Sequence, residues 1–236
     1  MSTRPLPARP ASSDPASPDP VSSNPGRSSH AELMDRIYRH QRHVYDLTRR
    51  PYLLGREHLL DRLAPPPRGH VLEIACGTGR NLAGVLRRHP EVCVYGLDIS
   101  AEMLATAAKR LGRRARLESG DARSFDAGTL FGRQGFDRVI LSYSLSMIPD
   151  WRGALSEAAR HLAPGAELHI VDFGDQSCMP RWFDAGLRAW LRRFHVAPRD
   201  DLARALSAEA EAIGGTAVWA PLRRSYAQYG VLMRQA

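Results

Sequence analysis

Residues 71–82 constrain the fold most strongly, because an apolar run there leads directly into two closely spaced glycines. The run from Val71 to Ile74 predicts a buried strand, and Gly77 and Gly79 predict a tight turn after it. Glycine lets the backbone turn sharply and pass close to a ligand. A helix that begins after such a turn presents unpaired N–H groups at its N-terminus. The stretch therefore predicts a strand, turn and helix of an α/β fold, with a ligand site at the turn.

An acidic residue closes a second apolar run. Residues 92–98 predict another buried strand, which ends in Asp98 about 20 residues after the glycine turn. A carboxylate at that place can accept hydrogen bonds from both hydroxyls of a ribose. A dinucleotide fingerprint would have glycine or alanine where this chain has Leu82. Turn and acid together favour an adenosine-type cofactor, although such turns also occur in α/β proteins without a ligand there.

Two later predicted strands lead to polar residues. Residues 116–119 are followed by Asp121, and residues 136–141 are followed by Ser142 and Tyr143. Ligands of open α/β sheets bind beyond the carboxyl ends of the strands, so these side chains are expected beside the glycine turn. Asp121 is then either an acceptor for an adenine amine or a plain turn residue.

The loop that contains Glu73, Gly77 and Gly79 resembles that of the class I S-adenosylmethionine-dependent methyltransferases, with Ala75 in place of the first glycine. This resemblance implies S-adenosylmethionine as cofactor. It also implies a Rossmann-like, seven-stranded, mostly parallel sheet with helices on both faces and a C-terminal antiparallel hairpin. The cofactor-binding residues that it implies are Glu73, Ala75, Gly77, Gly79, Asp98, Ile99, Met103, Asp121, Ala122 and Ser142. Arg56 is a further candidate, which could hold the carboxylate of the cofactor by a bidentate contact, with an exposed helix arginine as the alternative.

A narrower resemblance lies outside this common core. Several segments are similar to the bacterial diacylglyceryl-homoserine N-methyltransferase of betaine-lipid synthesis. That family implies an amine-bearing lipid substrate, whose primary amine is methylated three times to a quaternary ammonium. The segments are residues 34–50, 52–56, 142–149, 168–174 and 192–199.

Other functions remain open at this point. A small-molecule N- or O-methyltransferase is the nearest alternative, because the fold does not specify the acceptor. An RNA methyltransferase and a non-catalytic cofactor-binding protein are less favoured. Residues 142–145 lack the Asp/Asn-Pro-Pro-aromatic loop found in enzymes that methylate base amino groups, which argues against nucleic acid as a partner. No feature of the sequence specifies an oligomeric state.

Methylation of an amine gives two kinds of side chain a role. The amine must lose its proton before it attacks, so His43, with His40 and His195, is a candidate base, although a lone histidine is more often structural. The quaternary product attracts aromatic faces, for which Tyr143 and Tyr45 are the candidates. For Tyr143, the alternative is a strand-end tyrosine anchored by its hydroxyl.

The chain divides into three parts. Residues 1–30 are rich in proline and serine and predict a disordered tail without a secretory signal. The resemblance implies a helical lid over residues 31–64 and the cofactor-binding domain over residues 65–236. No run approaches the roughly 18 apolar residues of a membrane-spanning helix. The three cysteines have no metal-ligand spacing, which predicts no metal site and fits a reducing cytoplasm.

The formal net charge of +8 comes almost entirely from arginine. This bias reflects either genome composition or attraction to an anionic membrane surface, here the inner membrane face. Residues 179–193 carry aromatic and aliphatic residues at helical spacing. They predict a helix packed in the core, with an acyl-chain groove as the alternative.

Overall fold

The computed structural model describes residues 53–194 and 196–236. The predicted tail and all but the last part of the predicted lid lie outside the described residues. The strands are β1 His70–Ile74, β2 Cys93–Asp98, β3 Ala115–Ser119, β4 Phe136–Ser142, β5 Leu162–Phe173, β6 Gly215–Leu222 and β7 Ala227–Arg234. The helices are α1 Arg56–Arg62, α2 Arg80–Arg88, α3 Ala101–Leu111, α4 Ala127–Phe131, α5 Trp151–Arg160, α6 Arg181–Arg192 and α7 Leu202–Ala212.

The seven strands form one sheet in the order β3-β2-β1-β4-β5-β7-β6. The first five pair in parallel, and β7 pairs antiparallel with both β5 and β6. This confirms the predicted mostly parallel sheet with its C-terminal antiparallel hairpin. The direction of the strand order reverses between β1 and β4, and in such sheets that reversal opens a crevice beyond the carboxyl ends of the two strands.

Helices cover both faces of the sheet. On one face, α1, α2, α3 and α6 contribute to a hydrophobic cluster that also holds Val71 of β1. On the other face, α4, α5 and α7 pack with Leu72 and Ile74 of the same strand. Because β1 is buried on both sides, its near-continuous aliphatic sequence is what a central parallel strand requires.

The prediction that residues 179–193 pack in the core is wrong for two of its aromatic residues. Leu191 of α6 is buried, but Trp182 is 77% exposed and Trp190 is 37% exposed. At about 100° per residue, Trp182 lies opposite Leu191 on the helix, and Trp190 lies about 80° from Trp182 and about 100° from Leu191. Helical spacing identified an amphipathic segment correctly, yet α6 buries only one of its two apolar sides.

The cysteines near β1 and β2 differ in exposure. Cys76 is buried in the turn after β1, and Cys93 is the exposed first residue of β2. Among the described residues, no group of three or more His, Cys, Asp or Glu side chains is arranged to hold a metal ion. None of the described helices is long and apolar enough to cross a membrane.

Candidate functional site

The turn after β1 has a left-handed backbone at three alternate residues. Ala75, Gly77 and Gly79 have φ values of 55°, 53° and 69°. A side chain on Gly79 would begin only 2.7 Å from a methyl group of Leu111 on α3. Gly79 is therefore required twice, once for its backbone conformation and once for the contact between α2 and α3.

Asp98, at the end of β2, holds this turn in place. Its Oδ2 accepts a hydrogen bond of 2.7 Å from the backbone N–H of Gly77, and its Oδ1 accepts one of 2.9 Å from that of Ser100. The side chain is nearly buried and also lines the cavity described below. Each carboxylate oxygen can accept more than one hydrogen bond, so the predicted contact with a ribose is compatible with these bonds.

Three polar side chains form a chain of hydrogen bonds beneath the turn. Asn81 donates from Nδ2 to Oε1 of Glu73 at 2.6 Å, and its Oδ1 accepts from Nε of Arg56 at 2.8 Å. Sequence reasoning identified Glu73 and Arg56 but missed Asn81. Its place in the first turn of α2, two residues after Gly79, was the available signal, because a polar side chain at a helix start often satisfies a buried partner.

Burial dominates the electrostatics of Glu73. Because the carboxyl group is removed from water, its pKa rises to about 7, although the bond from Asn81 and the charge of Arg56 act in the opposite direction. The Oε2 atom of Glu73 is buried and has no hydrogen-bond partner among the described residues. An unpaired buried carboxylate oxygen is costly, so this atom favours a donor brought by a ligand.

Asp121 is engaged by a residue that the sequence did not single out. Arg123 donates from Nε to Oδ1 of Asp121 at 3.0 Å and from Nη2 to Oδ2 at 2.6 Å. The backbone N–H of Arg123 also donates to Oδ1 at 2.9 Å. Both residues line the cavity. The carboxylate that was predicted to meet an adenine amine is thus fixed in position by its own neighbour.

Tyr143 follows β4 with a left-handed backbone, φ 55°. Its hydroxyl donates to the backbone carbonyl of Leu54, and its ring meets that of Phe173 edge-on at 4.9 Å between centroids. Burial raises the pKa of this phenol well above its usual value, so the hydroxyl remains a donor. The hydroxyl is anchored, as the second interpretation of Tyr143 expected, while the residue also lines the cavity.

These residues surround one cavity of about 1100 Å³, including its open mouth. All the predicted cofactor-binding residues line it except Gly79, which packs against α3 instead. The predicted Tyr45, His43, His40 and His195 lie outside the described residues. The lining residues that sequence reasoning missed are Leu53, Cys76, Thr78, Arg80, Asn81, Gly120, Arg123, Ser144, Met147 and Ile148.

Charge is distributed unevenly around the cavity. Glu73, Asp98 and Asp121 lie near the ends of β1, β2 and β3, and arginines accompany the first and third of them. The part formed by residues after β4, including Tyr143, Met147 and Ile148, is uncharged. The cavity can therefore bind a polar, charged molecule at one end and a less polar group at the other.

The sequence is similar to those of known methyltransferases. Residues 71–165 match a family described as a methyltransferase domain. An O-methyltransferase of Pyrenophora dematioidea is 34% identical over 117 residues, which cover 48% of this chain and 43% of that protein. A phosphatidylethanolamine N-methyltransferase of Cereibacter sphaeroides is 35% identical over 105 residues, which cover 44% and 50%. This chain thus spans half or less of these two relatives.

A solved structure shares the fold over nearly its whole length. The plantazolicin methyltransferase BamL, in complex with a triazolic desmethylPZN analog and SAH, superposes with a TM-score of 0.65 and 15% sequence identity. The match covers 89% of this chain and 97% of that one. At this identity the likeness establishes the fold and does not identify the acceptor.

Proposed function

We propose that this protein methylates the amine of a lipid. Residues 71–165 match a methyltransferase domain, and the sheet has the fold of a solved methyltransferase. The specific acceptor that we propose is diacylglyceryl-homoserine, whose primary amine would receive three methyl groups to give a betaine lipid. The resemblance of several segments to that family supports the acceptor. The similarity to a phosphatidylethanolamine N-methyltransferase also supports an amine-bearing lipid.

The cavity has the features that S-adenosylmethionine requires. The buried Oε2 of Glu73 has no partner among the described residues, and an ammonium group is a suitable donor for it. A side chain built on Gly77 would meet no atom within 4 Å, so the turn leaves open space at its backbone. Asp98 lies directly beside that turn, in the place where a carboxylate can accept from ribose hydroxyls. We therefore assign Glu73, Gly77 and Asp98 to the cofactor.

Methyl transfer needs positioning more than covalent help from the protein. When bound, S-adenosylmethionine supplies a methyl group on a positively charged sulfur, and a neutral thioether leaves. The protein must therefore hold an uncharged amine in line with that methyl group. The lining residues Tyr143, Met147 and Ile148 carry no charge, and removal from water beside them would disfavour the protonated form of an amine.

The same surroundings suit the product. A trimethylated amine keeps its charge and has no N–H to donate, so a protein can attract it through an aromatic face. Tyr143 is the described aromatic residue that lines the cavity, and its anchored hydroxyl fixes the ring. No described histidine lines the cavity, so we propose His43 as the proton acceptor and Tyr45 as a second aromatic contact.

A soluble acceptor is the second candidate. The relative from Pyrenophora dematioidea is named an O-methyltransferase, and a hydroxyl or amine of a small molecule would use the same cofactor site. The two candidates differ in what fills the uncharged end of the cavity.

Incubation of the purified full chain with S-adenosylmethionine and dispersed diacylglyceryl-homoserine tests the proposal directly. Lipid masses followed over time should show mono-, di- and trimethylated products in succession. Phosphatidylethanolamine and soluble amines and hydroxyl compounds serve as competing acceptors. If the protein binds the cofactor but methylates only a soluble acceptor, the lipid assignment is wrong and the second candidate is correct.

A further inference from the structure

Helix α6 presents an unusual exposed side. Trp182 is largely exposed there, Trp190 is partly exposed with its ring 5.0 Å from that of Phe194 between centroids, and the small exposed residues Ala185, Gly186 and Ala189 lie between them. The exposed arginines at the two ends of the helix, Arg181, Arg192 and Arg193, complete this α6 outer surface. A large aromatic ring is costly to leave in water, so Trp182, with Trp190 at the margin of the same surface, indicates an interaction surface.

The opposite side of α6 explains why the tryptophans stay outside. Leu191 is buried in the hydrophobic cluster that includes Tyr143, and Phe183 and Leu187 pack against the same cluster. These three residues recur every four positions and already seat the helix on the sheet. Rotation of α6 to bury the tryptophans would expose Phe183, Leu187 and Leu191. The fold therefore determines which side of the helix faces outward.

The charge of the α6 outer surface is positive and unneutralised. None of Arg181, Arg192 and Arg193 forms an ion pair with a carboxylate of the described residues. The acid within the helix, Asp184, instead pairs with Arg188 at 2.7 Å, and Arg188 pairs further with Asp200 at 3.2 Å. Tryptophan combined with unpaired arginine on one helix face is the composition that binds the interface of an anionic bilayer.

The chain leads from this surface to the cavity. After α6, the backbone N–H of Ala197 donates to the carbonyl of Ser146 at 2.8 Å, and Nε of Arg199 donates to the carbonyl of Leu145 at 3.0 Å. Ser146 and Leu145 belong to the loop whose neighbours Ser144 and Met147 line the cavity. The segment that follows α6 is thus hydrogen-bonded to the loop at the uncharged end of the cavity.

We propose that the α6 outer surface docks this protein on a bilayer of anionic lipids. The tryptophans enter the interface between head groups and acyl chains, and the arginines contact the phosphates. The inference rests on the proposed function only because an enzyme with a lipid acceptor must reach its substrate in the bilayer. The positive charge and the projecting aromatic residues favour a bilayer over a protein partner.

Flotation with lipid vesicles tests the docking without any methyl transfer. The full chain should bind vesicles of phosphatidylglycerol and phosphatidylcholine, and should bind pure phosphatidylcholine vesicles much more weakly. Trp182→Ala should weaken binding roughly tenfold, since the ring no longer enters the interface. Arg192→Gln and Arg193→Gln should each weaken it about fivefold, from loss of one charge near the surface.

Matched variants on other elements serve as controls. Trp219→Ala removes a half-exposed tryptophan from β6, and Arg113→Gln removes an exposed arginine beside α3. Both should bind vesicles like the parent chain. Thermal unfolding of each variant checks that the exposed substitutions leave the fold intact.

The results separate this inference from the proposed function. Failure of the parent chain to float, or equal binding by the α6 variants and the parent chain, would overturn the α6 outer surface as a membrane contact. The membrane contact would also be overturned if the protein bound single-stranded RNA more strongly than anionic vesicles and the α6 variants lost that RNA binding. The α6 outer surface would then be a nucleic-acid contact. Methylation of lipid in detergent does not depend on docking. Its absence in a protein that floats would overturn the lipid acceptor alone.

Discussion

The Asp98 carboxylate accepts a 2.7 Å hydrogen bond from the backbone N–H of Gly77, which joins the end of β2 to the turn after β1. One side chain thus fixes the loop and, in our assignment, contacts the cofactor. Its removal should have two separable effects, one on the stability of the fold and one on ligand affinity.

Asp98→Ala should therefore lower the free energy of unfolding by about 2 kcal/mol, because two backbone N–H groups lose their acceptor. It should also weaken S-adenosylmethionine binding by at least about tenfold, since a buried ribose hydroxyl would lose a charged partner. Urea unfolding and calorimetric titration measure the two effects.

Asp137→Ala is the matched control for this prediction. The Asp137 carboxylate also accepts a 2.7 Å bond from a backbone N–H, that of His70 at the opposite end of β1. This variant should lose stability but retain cofactor affinity. If both variants lost affinity to the same degree, the ribose assignment of Asp98 would be wrong.

Gly79→Ala should destabilise the protein by about 3 kcal/mol. Roughly 1 kcal/mol comes from the left-handed backbone, and the remainder comes from the overlap with Leu111. Gly132→Ala isolates the backbone contribution. Gly132 has φ 70° and ψ 21°, nearly the same as the 69° and 23° of Gly79, and a Cβ added to it would lie 3.6 Å from the nearest atom. Denaturant midpoints compare the two variants, and equal losses would show that the α2–α3 contact tolerates a methyl group.

Glu73 should make stability depend on pH. Its pKa of about 7 in the folded protein lies above the ordinary value of 4.5, so the folded state holds a proton that the unfolded state releases between these values. Stability should therefore fall as the pH rises from about 4.5 to 7, by an amount on the order of 3 kcal/mol.

Glu73→Gln should remove this component of the pH dependence. Unfolding in urea at pH 5 and pH 8 should show the variant gaining stability relative to the parent as the pH rises. Glu91→Gln, at an exposed glutamate, should leave the parent profile unchanged. Parallel profiles for the parent and Glu73→Gln would mean that Glu73 is already ionised throughout this range.

Tyr143 should act through its ring in catalysis and through its hydroxyl in stability. Tyr143→Phe removes the bond to the Leu54 carbonyl and should cost about 1–2 kcal/mol while the aromatic face is retained. Tyr143→Leu should in addition reduce the second and third methylations more than the first, because the accumulating charge loses its aromatic partner. The ratio of mono-, di- and trimethylated lipid reports this, and equal losses at every step in Tyr143→Leu would indicate general positioning instead.

The sequence predicted the central fold well because the determining signals are local. The aliphatic run before Gly77 and the acid at the end of the next strand each follow from residue type and spacing, and the structure brings both to one cavity. Asn81 and Arg123 were missed because their importance depends on which side chains the fold places opposite them. No periodicity in the sequence shows that Asn81 lies between Glu73 and Arg56.

Helix α6 shows a different limit. Its apolar residues point to opposite sides of the helix, and only contact with the sheet decides which side is buried. The side with Leu191 is taken up by the core, whereas the side with Trp182 is left outside. The prediction of core packing was therefore right for Phe183, Leu187 and Leu191 and wrong for Trp182 and Trp190.

The strand order requires that β7, the last strand to be synthesised of those described, insert between two strands that are already made. The last strand of the sheet, β7, lies between β5 and β6, and β6 pairs with no other described strand. Until residues 227–234 have left the ribosome and paired, β6 has no neighbour in the sheet and the edge of β5 is exposed. Open strand edges attract other chains. The polypeptide should thus be most prone to aggregation, and most in need of a chaperone, just before β7 inserts between β5 and β6.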